Sequence, residues 1–238
     1  MENYAWTTVA LRVFAFSLLP VVLAAIHVRL DPSAKSRHWR VEVYLIYLFT
    51  LGVAAGGLSG FFGHVVTPDA VAESIDWPSG SPFQQEMGFV GLAMAVLGLV
   101  AARRRDGFRE AVVIAVAIPG IGATLVHVVD LLQDGNLAPG NSIQNVANLL
   151  KPALLIPMLI ASRRSEPAVA EPSSDRWRMR VVGLAGSVTA VVGTGFGIGS
   201  SFDLAVPATI VAAALAAGIV ARAATMTREP EVLASHPA

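Results

Sequence analysis

The chain has no cysteine. That excludes disulfides, a thiolate nucleophile, thiolate-ligated metals and iron–sulfur clusters. Charge is also scarce: 14% of the 238 residues are charged, whereas a soluble domain carries about 25%. Seventeen basic and seventeen acidic side chains must serve every loop and both tails, which leaves little for a water-facing surface. No internal repeat is visible, which weighs against a transporter built from inverted halves. What the chain has in plenty is apolar residues, 54% of the total, with a mean hydropathy of +0.62. This composition is that of a protein immersed in lipid.

Apolar stretches long enough to cross about 30 Å of hydrocarbon run over Thr7 to Val28, Val41 to Val66, Phe83 to Ala102, Phe108 to Leu132, Ile143 to Ala161, Met179 to Gly199 and Leu204 to Ala224. The first lacks the basic start and small-residue cleavage site of a signal peptide, so it is expected as a retained helix. The last two are separated only by Ser200, Ser201, Phe202 and Asp203 and read as a tight helical hairpin. The fold class expected is therefore all-α, a polytopic transmembrane bundle of seven spans. Short loops leave no room for a separate catalytic domain, so any function sits in the membrane or at its rim.

Basic residues test the count, because Lys and Arg collect in cytoplasmic loops. Fifteen of the seventeen follow the first, third, fifth and seventh spans, whereas the alternate loops carry Asp69, Glu73, Asp76, Asp134 and Asp203 without a single Lys or Arg. This alternation predicts an outside N-terminus and a cytoplasmic C-terminus. Residues 1–162 form a five-helix core, 163–178 a Pro- and Ser-containing cytoplasmic linker, 179–225 the two-helix hairpin, and 226–238 a polar, disordered tail. The location expected is the bacterial cytoplasmic (inner) membrane, with lipids as partners, a homo-oligomer as a further candidate assembly, and no nucleic acid.

An ionisable side chain at the centre of a membrane helix costs about 2.5 to 3.5 kcal/mol on insertion scales, so each one needs a reason. Arg12, His64, Gln84, Gln85, Glu86, His127, Asp130, Gln144, Asn145, Asn148 and Lys151 all fall in the predicted outer half. Lys151 lies roughly 12 Å below the outer end of its span, too deep to snorkel to that surface. His127 and Asp130 are three apart and project from one side, and Gln144, Asn148 and Lys151 make a polar stripe. Gly52, Gly56 and Gly60 form a small-residue ridge leading to His64. Pro119, Pro152 and Pro157 are placed to kink their helices beside a cavity. Trp77 suits an interfacial anchor, and Ser81-Pro82 a helix start. The loops around Trp77 and over Gly135 to Asn141 would cap a pocket open to the outside.

Gly63-His64, Trp77-Pro78 with Gly80-Ser81-Pro82-Phe83-Gln84 and Glu86, His127 with Asp130, and Gly135-Asn136 with Ala138-Pro139-Gly140-Asn141 together make a pattern. In these residues the chain resembles a family of uncharacterised bacterial integral membrane proteins, over about the first 160 residues. The resemblance implies a shared outer-face site and supplies no activity. Lys151 stands where that family would be expected to carry a different polar residue.

The candidate ligand-binding set is His64, Glu86, His127, Asp130, Asn145, Asn148 and Lys151. Within it His64, Glu86, His127 and Asp130 have the chemistry of a divalent-metal site, although their spacing matches no short motif; the alternative is an interhelical hydrogen-bond network with Lys151 paired to Glu86 or Asp130. A haem held between His64 and His127 has no other support. Gly193 to Gly199 does not follow a strand and is better read as helix packing than as a nucleotide loop. Three functions remain open: a protein binding a small polar ligand or ion in an outward-facing pocket, including on a transport route; a membrane-embedded enzyme, metal-dependent or not, with Glu86 or His127 as base or ligand and Lys151 steadying an anion; and a structural or accessory subunit.

Overall fold

A computed structural model of the chain describes residues 2–31, 36–165, 173–201, 210–211 and 214–218. Every regular element among them is helical. The first span is built from α1 (Glu2–Val13), a π-helical stretch π1 (Phe14–Leu18) and α2 (Leu19–Leu30). The second joins α3 (Arg37–Tyr47), a second π-helical stretch π2 (Leu48–Ala55) and α4 (Gly56–Val66). A short α5 (Pro68–Ile75) precedes α6 (Pro82–Arg103), α7 (Phe108–Asp134), α8 (Gln144–Ser165) and α9 (Ser173–Ser201).

Five of these helices are long and apolar enough to cross a membrane: Ala5–Leu30, Arg37–Val66, Pro82–Arg103, Phe108–Asp134 and Gln144–Ser165. They coincide with the first five expected spans and run a few residues past several of them. The extensions have a physical cause at the basic end. Arg163 continues α8 beyond the apolar run because its Nη2 and Nε lie 2.6 and 2.8 Å from Glu110 Oε1. Arg178 is held in α9 by donating to the backbone oxygens of Arg104 (2.7 Å) and Ala102 (3.3 Å). The stretch 163–178 is thus helical at both ends, not a linker throughout, and its centre, 166–172, lies outside the described residues. The expected sixth span falls inside α9. The expected seventh is described only at 210–211 and 214–218, where it is helical, and Asp203 and the tail lie outside the described residues.

The second span is the hub. Every residue of π2 is buried, and 61% of the span's most apolar window is buried, against 28 to 44% for the other four. One core cluster joins Phe16, Leu19 and Leu23 to Val43, Tyr47 and Leu51 and then to Val181, Ala185 and Val188 of α9. A second joins Leu45, Phe49 and Val53 to Ala101, Val112 and Leu155. Outside them, large apolar side chains such as Phe62, Phe89, Val96, Ile114, Ile118 and Leu125 are exposed, on a scale that suits a lipid-facing surface.

Glycines set how closely the helices meet. A methyl on Gly57 would stand 2.5 Å from Gly91 O, and one on Gly91 2.8 Å from Gly57 O, so α4 and α6 touch backbone to backbone. Gly88 and Gly98 continue that seam. The ridge expected at Gly52, Gly56 and Gly60 divides instead: Gly52 and Gly56 pack on Phe16 of π1, while nothing lies within 4 Å of a methyl added to Gly60. The split falls between Gly56 and Gly60, both within α4, where a step of four residues turns about 40° around the helix axis.

Candidate functional site

At one end of the bundle, the N-terminal start of α1, the loop after α5 and the loop after α7 come together. Asp76 closes α5 in the left-handed conformation (φ 60°), one that Asp tolerates better than most residues. The Trp77 amide then bonds back to Ala72 O at 3.0 Å, the C-terminal capping pattern in which the chain turns sharply off its helix. That turn delivers the Trp77 indole to α7: Nε1 donates to Asp130 Oδ2 at 2.9 Å, and the ring lies 5.4 Å from that of His127. Asn136 Nδ2 donates to the same Asp130 oxygen at 2.7 Å and to Ile75 O at 2.8 Å.

The second loop is tied down with equal thoroughness. His127 Nδ1 and Asn141 Oδ1 are 2.6 Å apart, which assigns the proton to Nδ1 as donor. Asn141 Nδ2 donates to Asn136 O at 2.8 Å, and Asn145 Nδ2 to Asn141 O at 2.9 Å. Gly140 N donates to Ser74 O at 2.7 Å, where any side chain on Gly140 would collide. Outside this closed network lies an open cleft of about 970 Å³ bordered by Trp6, Glu73, Asp76, Asp130, Asp134 and Asn136, with no Lys or Arg in its lining.

Deeper in the bundle the polar file continues down α8. Asn148 Nδ2 approaches Asn145 Oδ1 at 3.4 Å, and Lys151 follows one turn below on the same face. α7 comes very close here, since a methyl on Gly120 would sit 2.6 Å from Asn148 O. Lys151 Nζ rests against Gly56: a methyl added there would stand 3.3 Å from Nζ and 3.4 Å from Phe16 Cβ. Lys151 therefore meets the bundle where π1 and π2 cross. Arg12, one turn from π1, acts electrostatically on both Lys151 and His64. Among the described residues neither Arg12 nor Lys151 has a carboxylate partner. His64 lies beside Gln84, and both His64 Nδ1 and Gln84 Oε1 are buried without a hydrogen bond of normal geometry.

The seven expected site residues thus fall into groups. His127 and Asp130 meet at Trp77, Asn145 and Asn148 lead to Lys151, and His64 joins Lys151 through the field of Arg12. Glu86 is exposed on α6 and reaches none of them, so the pairing of Lys151 with Glu86 or Asp130 is not formed. Of the seven, Asp130 alone borders the open cleft. No group of three His, Asp or Glu side chains among the described residues is placed to hold a metal ion. The four-residue metal set is therefore not assembled: its members sit on α4, α6 and α7, with His127 bonded to Asn141, Asp130 to Trp77 and Asn136, His64 Nδ1 without a hydrogen bond, and Glu86 exposed.

Sequence reasoning missed a second polar centre at the opposite end. Glu42, fully buried at the start of the second span, accepts from Arg109 Nη1 and Ser162 Oγ, each at 2.7 Å. Arg178 Nε and Arg105 Nε lie 3.5 and 3.6 Å from its other oxygen. The available signal was an acidic residue in the midst of a basic loop region. His27 of α2 is buried, with Nδ1 3.2 Å from Tyr47 Oη.

No curated protein and no solved structure matches the chain. Residues 11–168 match a family model described as a family of unknown function (DUF6790). That match covers every residue of the lid network, Lys151, and Glu42, Arg105, Arg109 and Ser162 of the second centre, though not Arg178, and it places this chain, an apolar helical membrane protein, in that family.

Proposed function

We propose that the protein is a multi-pass membrane protein that takes up a small polar ligand bearing an anionic group from the outer side and holds it between Arg12 and Lys151. The observation that carries this reading is a pair of cations, each half-buried within a span and without a carboxylate partner among the described residues, beside the crossing of two π-helical stretches. A cation inside a membrane helix without a counter-ion is costly, and π turns inside α-helices are frequent at functional sites. The file Asn141, Asn145, Asn148 supplies hydrogen-bonding groups from the lid down to Lys151, a route for a polar solute.

The basic loops put the Glu42 end in the cytoplasm and the Trp77 end outside, with α9 and residues 204–224 as a sixth and seventh span and the bacterial inner membrane as the setting. Because the chain has no native thiol, single cysteines report this directly. Ser79→Cys should react with an impermeant maleimide on intact cells and Arg104→Cys only after lysis; the reverse pattern would overturn the orientation.

For the ligand, melting temperatures of the purified protein are compared across chloride and small monocarboxylates at equal ionic strength. At least one carboxylate should raise the melting temperature. Lys151→Met should abolish that rise while leaving the ligand-free protein as stable or more so, because an unpaired cation has been removed. A destabilised Lys151→Met protein, or a rise that survives the substitution, would sink the reading. The closed Trp77–Asp130–Asn136 network favours a second reading, a structural subunit, under which no solute shifts the melting temperature.

A further inference from the structure

Among the described residues, the single carboxylate of Glu42 faces the guanidiniums of both Arg105 and Arg109. Arg109 is 1% exposed, and its Nη1 faces Glu42 Oε1 while its Nε donates to Ala101 O at 3.0 Å. Its remaining nitrogen, Nη2, is buried without a hydrogen-bond partner. Arg105, on the short connection between α6 and α7, approaches Glu42 Oε2 only at 3.6 Å, and its Nε and Nη2 are likewise buried and without a hydrogen bond. Two guanidiniums therefore share one carboxylate: Arg105 Nε stands beyond hydrogen-bond length from Glu42 Oε2, and Arg105 Nη2 and Arg109 Nη2 have no hydrogen-bond partner among the described residues. Arg178 brings further positive charge to the same carboxylate oxygen.

Unsatisfied guanidinium donors in a buried setting are expensive. An oxyanion with several acceptor atoms removes that cost at once, and planar guanidiniums bind phosphate oxygens in pairs better than any other side chain. The Arg105 side chain, 24% exposed, forms the open side of the cluster and so its entry. The centre also lies at the end of the spans that the basic connections flank, with Arg103, Arg104 and Arg105 closing α6 and Arg163 and Arg164 closing α8. We infer that Arg105 and Arg109 form a phosphate-binding site at this end of the bundle, its occupant being either the phosphate of an anionic phospholipid or a free phosphate.

The full chain, purified in uncharged detergent, is titrated with inorganic phosphate against chloride at matched ionic strength, and in parallel reconstituted into zwitterionic discs with and without phosphatidylglycerol. A rise in melting temperature with phosphate marks free phosphate as the occupant; a rise confined to phosphatidylglycerol marks the lipid. In either case Arg105→Gln should weaken the response about tenfold or more, Arg105→Lys should restore part of it, and Lys151→Met should leave it intact. The proposal is overturned if neither phosphate nor phosphatidylglycerol shifts the melting temperature, if Arg105→Gln leaves the response unchanged, or if Lys151→Met abolishes it.

Discussion

At the scale of single residues, Trp77 does the most to shape the lid. Its indole is 39% exposed, as an interfacial anchor would be, but its N–H is committed to Asp130 and its ring to His127. Trp77→Phe keeps the ring and removes the donor, leaving Asp130 Oδ2 with Asn136 alone. The expected loss is about 1 kcal/mol for one part-exposed hydrogen bond, seen as a melting temperature lower by roughly 2–4 °C for a chain of this size; an unchanged melting temperature would mean that the bond contributes nothing. The adjacency of His127 and Asp130 was legible from their spacing of three. Their common partner was not, because a loop tryptophan gives no sign of which helix it will face. Glu42 escaped notice for a related reason: an acidic residue near Arg37, Arg40 and the predicted helix start reads as a solvated loop charge until the helix is seen to begin at Arg37.

At the scale of elements, spans were readable and their inner irregularities were not. Long apolar runs dictate helices because lipid offers no other partner for backbone N–H and C=O groups, hence the agreement over the first five. No residue type marks a π turn. Phe14-Ala15-Phe16-Ser17-Leu18 and Leu48 to Ala55 would suit an α-helix equally well, and the extra width appears only in the packing. The glycine seam shows the same limit, since Gly52, Gly56, Gly57 and Gly60 are alike in sequence and differ only in what stands opposite. Gly57→Ala should force α4 and α6 apart and cost about 1–3 kcal/mol. Gly60→Ala, with open space before it, should be neutral or stabilise by up to about 1 kcal/mol through helix propensity. Parallel thermal melts of the two variants decide this: equal losses would mean that the seam is not a close contact.

At the scale of the whole molecule, the five described membrane-length helices separate their chemistry by end, with Trp77, Asp130 and Asn141 at one and Glu42, Arg109 and Ser162 at the other. The alternation of basic and acidic loops made that separation legible, because it follows from chain direction alone; the grouping of polar side chains within each end did not, because it depends on helix rotation. The hub span also differs along its length. Seven residues of α3 and all eight of π2 are buried, whereas α4 has none. The consequence is a gradient of local unfolding free energy along one continuous helix, lowest toward the Val66 terminus of α4, where the span ends and water can reach the backbone. Amide hydrogens of residues 63–66 should exchange with deuterium ahead of those in Leu48–Ala55, and uniform protection along the span would contradict it. The two ends of the span then keep different clocks, the Val66 end fraying while the end that holds Glu42 stays shut.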